Sequence, residues 1–361
     1  MKVLHILAEL QFSGAELMLH TASEKFEASG LEITILATGQ VEGIYADYFR
    51  KLGWTVVHIP FKKSLSFFSK LYSLIKNGGF DVVHIHTEGA FIYKAFITNW
   101  AGVKKVVATV HNNFLFTGYL QRRRRFHHLL ALKLLKVKFI SISESVKETE
   151  KVIYNTNTTL IHNWINVDSF SKTRQLDNQA AGHGRNVYPI KIISVGKCLF
   201  EKQHQKVLEL VKVLIDKGVD CHYTHIGCGE LEDKEKTWAY ENGLREHVTF
   251  ISHTHNVAQF LSGCNYYVMP SLFEGVGNAC LEAMAAGLLC IVNDAPGLNT
   301  LIKNDHTGII TDFSDVSLVA SQIMAISQDE ERYNHLTTNA QQYVAQKHGV
   351  ANVEQMIEMY Y

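Results

Sequence analysis

Residues 270–287 read PSLFEGVGNACLEAMAAG, and the rest of the chain is organised around this run. Ahead of it, Cys264 to Met269 (CNYYVM) is short and apolar, with Gly263 upstream and Pro270 closing it, which predicts a buried strand. Behind it, Asn278 to Ala286 is rich in Ala, Leu, Met and Glu and stops at Gly287, which predicts a helix. The loop between carries one acid, Glu274, and two glycines, Gly275 and Gly277. Glycine lets a backbone come close to a ligand, and the free N–H groups of a helix start favour an anion such as a phosphate. Glu282 lies a turn inside the helix, where a carboxylate can accept from sugar hydroxyls.

Composition bounds the class. At 361 residues two domains are expected, and a hydrophobic fraction of 47% supports packed cores. The net charge is zero, yet residues 1–180 carry 22 Lys/Arg against 14 Asp/Glu and residues 181–361 carry 13 against 21. The basic first half suits an anionic surface or acceptor. All six cysteines fall in the second half, none in a Cys-x-x-Cys pair, and several lie in strand-like apolar runs, so reduced core thiols are expected. Met1-Lys2 leads straight into a short strand and no stretch approaches about 20 apolar residues, so a cytoplasmic protein is expected, at most lying on the inner face of a membrane.

The run 270–287 resembles the signature of the retaining glycosyltransferases of family 4, with Pro-Ser-x-x-Glu-Gly followed by Leu-Glu-Ala-Met-Ala-x-Gly. The resemblance implies an α/β fold of GT-B type, two Rossmann-like domains facing across a central cleft. It implies domains over 1–170 (acceptor) and 190–345 (nucleotide-sugar donor), a linker over 171–189, and a C-terminal segment, 346–361, returning to the first domain. Within the signature it assigns donor contacts to Gly275, Val276, Gly277, Asn278 and Ala279. Glu282 would take the ribose, and Glu274 the donor sugar.

Other matches follow the chain. Ile192-Ile193-Ser194-Val195-Gly196-Lys197 is strand-like, and Cys198-Leu199-Phe200-Glu201-Lys202 follows. This resembles the family's Val-Gly-Arg/Lys, four residues, Lys, so Lys197 and Lys202 would hold the diphosphate and stabilise its departing charge, with Gly196 alongside. Gly227-Cys228-Gly229 resembles the turn lining the nucleotide, and Phe250 to Ser252, with Ile251 central, would flank the base. Phe12-Ser13-Gly14-Ala15-Glu16 resembles the N-terminal Gly-Gly-x-Glu loop at the donor phosphates, with Ala15 replacing its second glycine. Glu16 is read as a first-turn acid suited to the helix dipole. His111 closes the strand Val106 to Asn112 and resembles the histidine that contacts the donor sugar.

His84 and His86 share a face of the strand Asp81 to His86 by its two-residue period. With no third ligand in view nearby, packing or hydrogen bonding is expected of them rather than metal binding. His86 ends the strand, where α/β sheets place ligands, and is a candidate acceptor contact. His253 and His255 are read as loop. Tyr119 to Phe139 is a basic, leucine-rich segment, with arginines at 122–125, and is expected to be helical. It can lie on an anionic bilayer, and its alternative is leucines in the core with arginines in water. Nucleic acid is not an expected partner. No Asp-x-Asp occurs, and the family resemblance implies no metal and no cofactor beyond the nucleotide-sugar substrate. The expected reaction is transfer of a sugar, UDP being the family's usual carrier, to a glycan or lipid-linked acceptor in polysaccharide or cell-surface glycan synthesis. A GT-B nucleotide-sugar epimerase and a non-catalytic partner of another transferase are the alternatives.

Overall fold

A computed structural model describes residues 1–171, 189–252, 254 and 256–361. The expected linker lies almost wholly outside the described residues, as do His253 and His255. Two compact units are present: Met1–Trp164 with Val350–Tyr361, and Ile165–Gly349. The chain thus passes between units within Asn163 to Phe170, and its last twelve residues join the first unit.

In the first unit the strands are β1 (Lys2–Leu7), β2 (Glu32–Ala37), β3 (Thr55–His58), β4 (Val82–Ile85), β5 (Lys105–Val110), β6 (Lys138–Ser141) and β7 (Thr159–Leu160). All neighbours pair in parallel, in the order β3-β2-β1-β4-β5-β6-β7. Parallel strands covered by helices on both faces need near-continuous apolar sequence. The runs VLHIL, VVHI and KVVATV supply it, with His5 and His84 as polar insertions. Helix starts follow local chemistry: Ser64 Oγ accepts from Phe67 N at 3.3 Å and Ser143 Oγ from Val146 N at 3.2 Å. The segment read as one helix from Ser13 to Glu27 is two, Gly14–Thr21 and Ser23–Ala28, and the basic helix ends at Lys133, its tail running on into β6. The C-terminal helix Asn352–Glu358 buries Val353, Met356 and Ile357 in the first unit's core, and the following Tyr360 is buried there too, near Phe26 and Trp164.

The second unit contains β8 (Ile190–Val195), β9 (Cys221–Ile226), β10 (Val248–Ile251), β11 (Tyr266–Met269), β12 (Leu289–Asn293) and β13 (Ile309–Thr311), in the parallel order β10-β9-β8-β11-β12-β13. Its core packs Ile192, Tyr223, Val268 and Ile291 of the sheet against Val211 and Leu214 of helix His204–Asp216. Each unit is therefore a doubly wound Rossmann-like layer structure.

Candidate active site

Strand order reverses between β8 and β11 in the second unit, and ligands of open α/β sheets bind outside the carboxyl ends of strands at such a point. Gly196 and Lys197 follow β8, and Pro270 follows β11. The backbone ties these loops together: Leu272 N donates to Glu201 O at 2.8 Å, and Glu274 N donates to Pro296 O at 2.9 Å. Lys202 Nζ then meets Glu274 Oε1 at 2.6 Å, with side chains 22% and 11% exposed, so this pair is shielded from water rather than a surface pair. Lys197 is exposed and makes no ion pair among the described residues.

Two close approaches explain the glycines. Gly227 has φ +148°, and a Cβ there would lie 1.9 Å from Gly196 O; one on Gly229 would lie 2.6 Å from Cys198 O. Only glycine allows the turn to lie against the β8 loop this way. Gly196 N donates to Ile226 O at 2.9 Å and Gly227 N to Ile251 O at 2.8 Å, which gathers Gly196, Gly227 and Ile251 on one rim. Gly277, at φ +77°, precedes helix Asn278–Ala285, with Val276 buried and Gly275, Asn278 and Ala279 half-buried. Glu282 is half-buried one turn in, and burial raises its carboxyl from the usual 4.5 to about 7.

In the first unit, Ala15, His86, Thr109, His111, Trp164 and Met356 line one pocket. The imidazoles form a chain: His5 Nδ1 to His86 Nε2 at 2.9 Å, and His86 Nδ1 to His111 Nε2 at 2.9 Å. His84 is held by Tyr360 Oη and Thr109 Oγ1, each at 2.7 Å. Hydrogen bonding is thus what His84 and His86 do, but the sequence alone brings no third imidazole into view: His5, 81 residues before His86, is brought beside them because β1 pairs with β4 in the register His5↔His84. Both nitrogens of His84 and of His86 are already hydrogen-bonded, so the cluster reads as a polar network. Burial lowers His111 to about 4, against a smaller upward pull from Glu88, and it lowers His5 to about 3. Burial, followed by neighbouring imidazoles, holds His84 and His86 well below 6.5. The chain is therefore neutral at neutral pH, and His111 can offer a hydrogen bond but no charge. Gly14 and Ala15 open helix Gly14–Thr21, where buried Glu16 bonds to the Ser13 hydroxyl.

The helix Gly118–Lys133 divides its arginines. Arg124 is buried, ion-paired to Glu88 and Glu150, with its guanidinium 4.1 Å from the Tyr154 ring centroid. Arg122, Arg123 and Arg125 face outward, as do Tyr119, Leu120, Phe126 and Leu129. Leucines in the core with arginines in water holds only in part: one arginine is core and several apolar side chains are outside. Among the described residues no helix is long and apolar enough to cross a membrane. Sequence reasoning missed His5, Tyr360, the Arg124 network and the buried trio Cys198, His225 and Glu235, whose donor atoms lie within 4.8 Å of one another. A polar residue inside an apolar strand run was the available signal for His5 and His225.

Comparison with known proteins fits this geometry. Residues 12–169 match the domain family described as Glycosyltransferase Family 4, and residues 177–343 match Glycosyl transferases group 1. The UDP-Gal:alpha-D-GlcNAc-diphosphoundecaprenol alpha-1,3-galactosyltransferase of Escherichia coli is 25% identical over 289 residues, covering 76% of this chain and 73% of that protein. The capsular polysaccharide biosynthesis glycosyltransferase CapM of Staphylococcus aureus is 25% identical over 327 residues, covering 84% and 83%. The crystal structure of Anabaena HepE in complex with UDP superposes with a TM-score of 0.81 over 99% of this chain and 98% of that one, at 16% identity, which is a likeness of fold. With both sheets, the two matched domains and these relatives in agreement, the chain belongs to the family 4 glycosyltransferases of GT-B type, enzymes of polysaccharide and glycan biosynthesis.

Proposed function

We propose that the enzyme is a retaining transferase that takes its sugar from a UDP-sugar and passes it to a glycan or lipid-linked acceptor. The carrying observation is the Lys202–Glu274 pair, 2.6 Å apart and largely shielded, on loops at the point of strand-order reversal. Lys202 and the exposed Lys197 supply positive charge to the departing diphosphate, aided by N–H groups near Gly277 and Asn278. Their two charges stand in for a divalent cation at the diphosphate. Glu282 binds the ribose, and Glu274 contacts the donor sugar and supports its cationic transition state. The first unit takes the acceptor, with His86 near its binding surface, and His111 contributes a neutral hydrogen bond to the reacting sugar. The UDP-Gal and diphospholipid in the name of the E. coli relative, and the UDP bound by HepE, support this choice of donor and acceptor class. The outward basic and aromatic residues of helix Gly118–Lys133 rest on an anionic membrane surface.

The test is incubation with a panel of UDP-sugars, with and without a diphospholipid-linked sugar acceptor, and NMR of the product anomer. An acceptor-dependent product with the donor's configuration is expected, and Glu274→Ala should abolish it. An inverted product, an epimerised donor without acceptor, or undiminished transfer by Glu274→Ala would overturn the assignment.

A further inference from the structure

Two buried cations in the first unit converge on one partly exposed carboxylate, Glu88, which the donor chemistry leaves unused. Lys94 is 2% exposed and Arg124 6%, whereas the Glu88 side chain is 25% exposed. Lys94, on the helix Phe91–Trp100, fixes the main chain on both sides of Glu88. Its ammonium donates to Thr87 Oγ1 at 2.6 Å and to Gly89 O at 3.1 Å. Its third proton goes to Thr38 Oγ1 at 3.2 Å, and the Thr38 hydroxyl donates in turn to Leu7 O at 2.7 Å. The loop after β4 is thereby tied to the ends of β2 and β1. All three of these partners are neutral oxygens, and burial lowers the ammonium from 10.5 to about 8.

Arg124 fixes the side chain. Its Nε donates to Glu88 Oε1 at 2.5 Å, and His128 Nε2 lies 3.6 Å from the same oxygen. Arg124 has a counter-ion without Glu88, since Glu150, 0% exposed, stands 2.6 Å from its Nη1. The other oxygen of Glu88, Oε2, makes no hydrogen bond or ion pair among the described residues. Burial pushes the Glu88 carboxyl up, and His128 and Arg124 more than offset this, so it lies below its usual 4.5 and is ionised at neutral pH. An ionised carboxylate accepts hydrogen bonds and donates none. The open oxygen therefore suits a hydroxyl and repels a phosphate or another carboxylate.

The location is one where ligands bind. Strand order in the first unit reverses between β1 and β4, and Glu88 lies in the loop beyond the carboxyl end of β4. It follows His86 by two residues, and its charge acts on His111; both imidazoles line the pocket of the first unit. We propose that Glu88 binds the acceptor: Oε2 accepts a hydrogen bond from one hydroxyl of the acceptor sugar and so orients that sugar, while Oε1 stays on Arg124. The proposal rests on the reading that the first unit takes the acceptor. Lys94 and Arg124 are positioning residues, one holding the loop and the other the carboxylate. Glu88 is a specificity determinant, because a site built around a hydroxyl rejects a sugar that lacks it.

The experiment uses the full chain with a UDP-sugar and a diphospholipid-linked sugar acceptor, the latter whole and in its monodeoxy forms. Glu88→Gln keeps an oxygen for Arg124 and removes the charge. It should lower kcat/KM for the whole acceptor by about 10–100-fold, as expected for a lost hydrogen bond to a charged group. UDP affinity, read by calorimetry, should stay within about twofold of wild type. One monodeoxy acceptor should cost the wild type a similar factor and cost Glu88→Gln little more, because the two changes remove the same bond. A merely structural role would not single out one hydroxyl. Transfer by Glu88→Gln to the whole acceptor within about threefold of wild type would overturn the proposal, as would full loss by both proteins on every monodeoxy form. In either case wild-type transfer leaves the acceptor reading of the first unit standing. A wild type that makes no acceptor-dependent product overturns both. If Glu88→Gln fails to fold, Glu88→Asp, which keeps the charge and draws Oε2 back by one methylene, decides on the same readouts.

Discussion

Replacing Lys202 with methionine keeps the length of the side chain and removes its charge. The ammonium lies 2.6 Å from Glu274 Oε1 with 22% and 11% of the two side chains exposed. An exposed pair contributes about 0–1 kcal/mol, whereas breaking a buried one costs about 3–5 kcal/mol because a lone charge is left inside. With this much shielding, Lys202→Met should cost about 1–3 kcal/mol of stability. For a unit of this size that lowers the melting temperature by about 2–4 °C per kcal/mol. The double variant Lys202→Met, Glu274→Gln should recover part of the loss, because no uncompensated carboxylate remains. The effect on transfer should be larger, since one pre-positioned charge at a developing anion is worth about 10²–10³ in kcat. Calorimetric titration with UDP, thermal melting, and single-turnover transfer separate the two effects. The reasoning is refuted if Lys202→Met binds UDP as tightly as the wild type and turns over within threefold of it.

Gly227→Ala places a Cβ 1.9 Å from Gly196 O at φ +148°, so the turn must shift; the loss should reach about 3 kcal/mol, read as a lower melting temperature and weaker UDP binding. Glu282 has its carboxyl raised from 4.5 to about 7 by burial. The folded state thus holds its proton more tightly than the unfolded chain, and stability falls as pH rises through the window 4.5 to 7. Glu282→Gln should therefore melt higher than wild type at pH 8 by the equivalent of about 1–3 kcal/mol, match it near pH 4.5, and bind UDP more weakly. Equal melting curves at both pH values would contradict this. Arg124→Ala should destabilise the first unit by about 2–4 kcal/mol, because among the described residues it leaves the buried Glu150 with His128 as its one remaining cationic neighbour, 3.2 Å away. The triple change Arg122→Ala, Arg123→Ala, Arg125→Ala should leave melting within about 1 kcal/mol. It should also weaken binding to phosphatidylserine vesicles by about 1 kcal/mol per residue, measured by sedimentation.

What the sequence settled was local. Strand, glycine loop and helix over 264–287 follow from apolar run length, Pro270, Gly277 and Gly287, all acting within a few residues. The alternating helices and apolar strands likewise announce two parallel-sheet units. Three other facts needed the tertiary structure. Which lysine meets Glu274 was one, since Lys202 is 72 residues away and Lys197 is not paired with it. Which of four consecutive arginines turns inward was another, because a run of identical residues carries no helical periodicity, and Glu88 and Glu150 on other elements made the choice. The histidine chain and the Cys198, His225, Glu235 cluster were the third. Parallel strands are joined by long crossovers rather than tight turns, so strand order and register, which bring such side chains together, are set by packing of the whole sheet and not by neighbours in the chain.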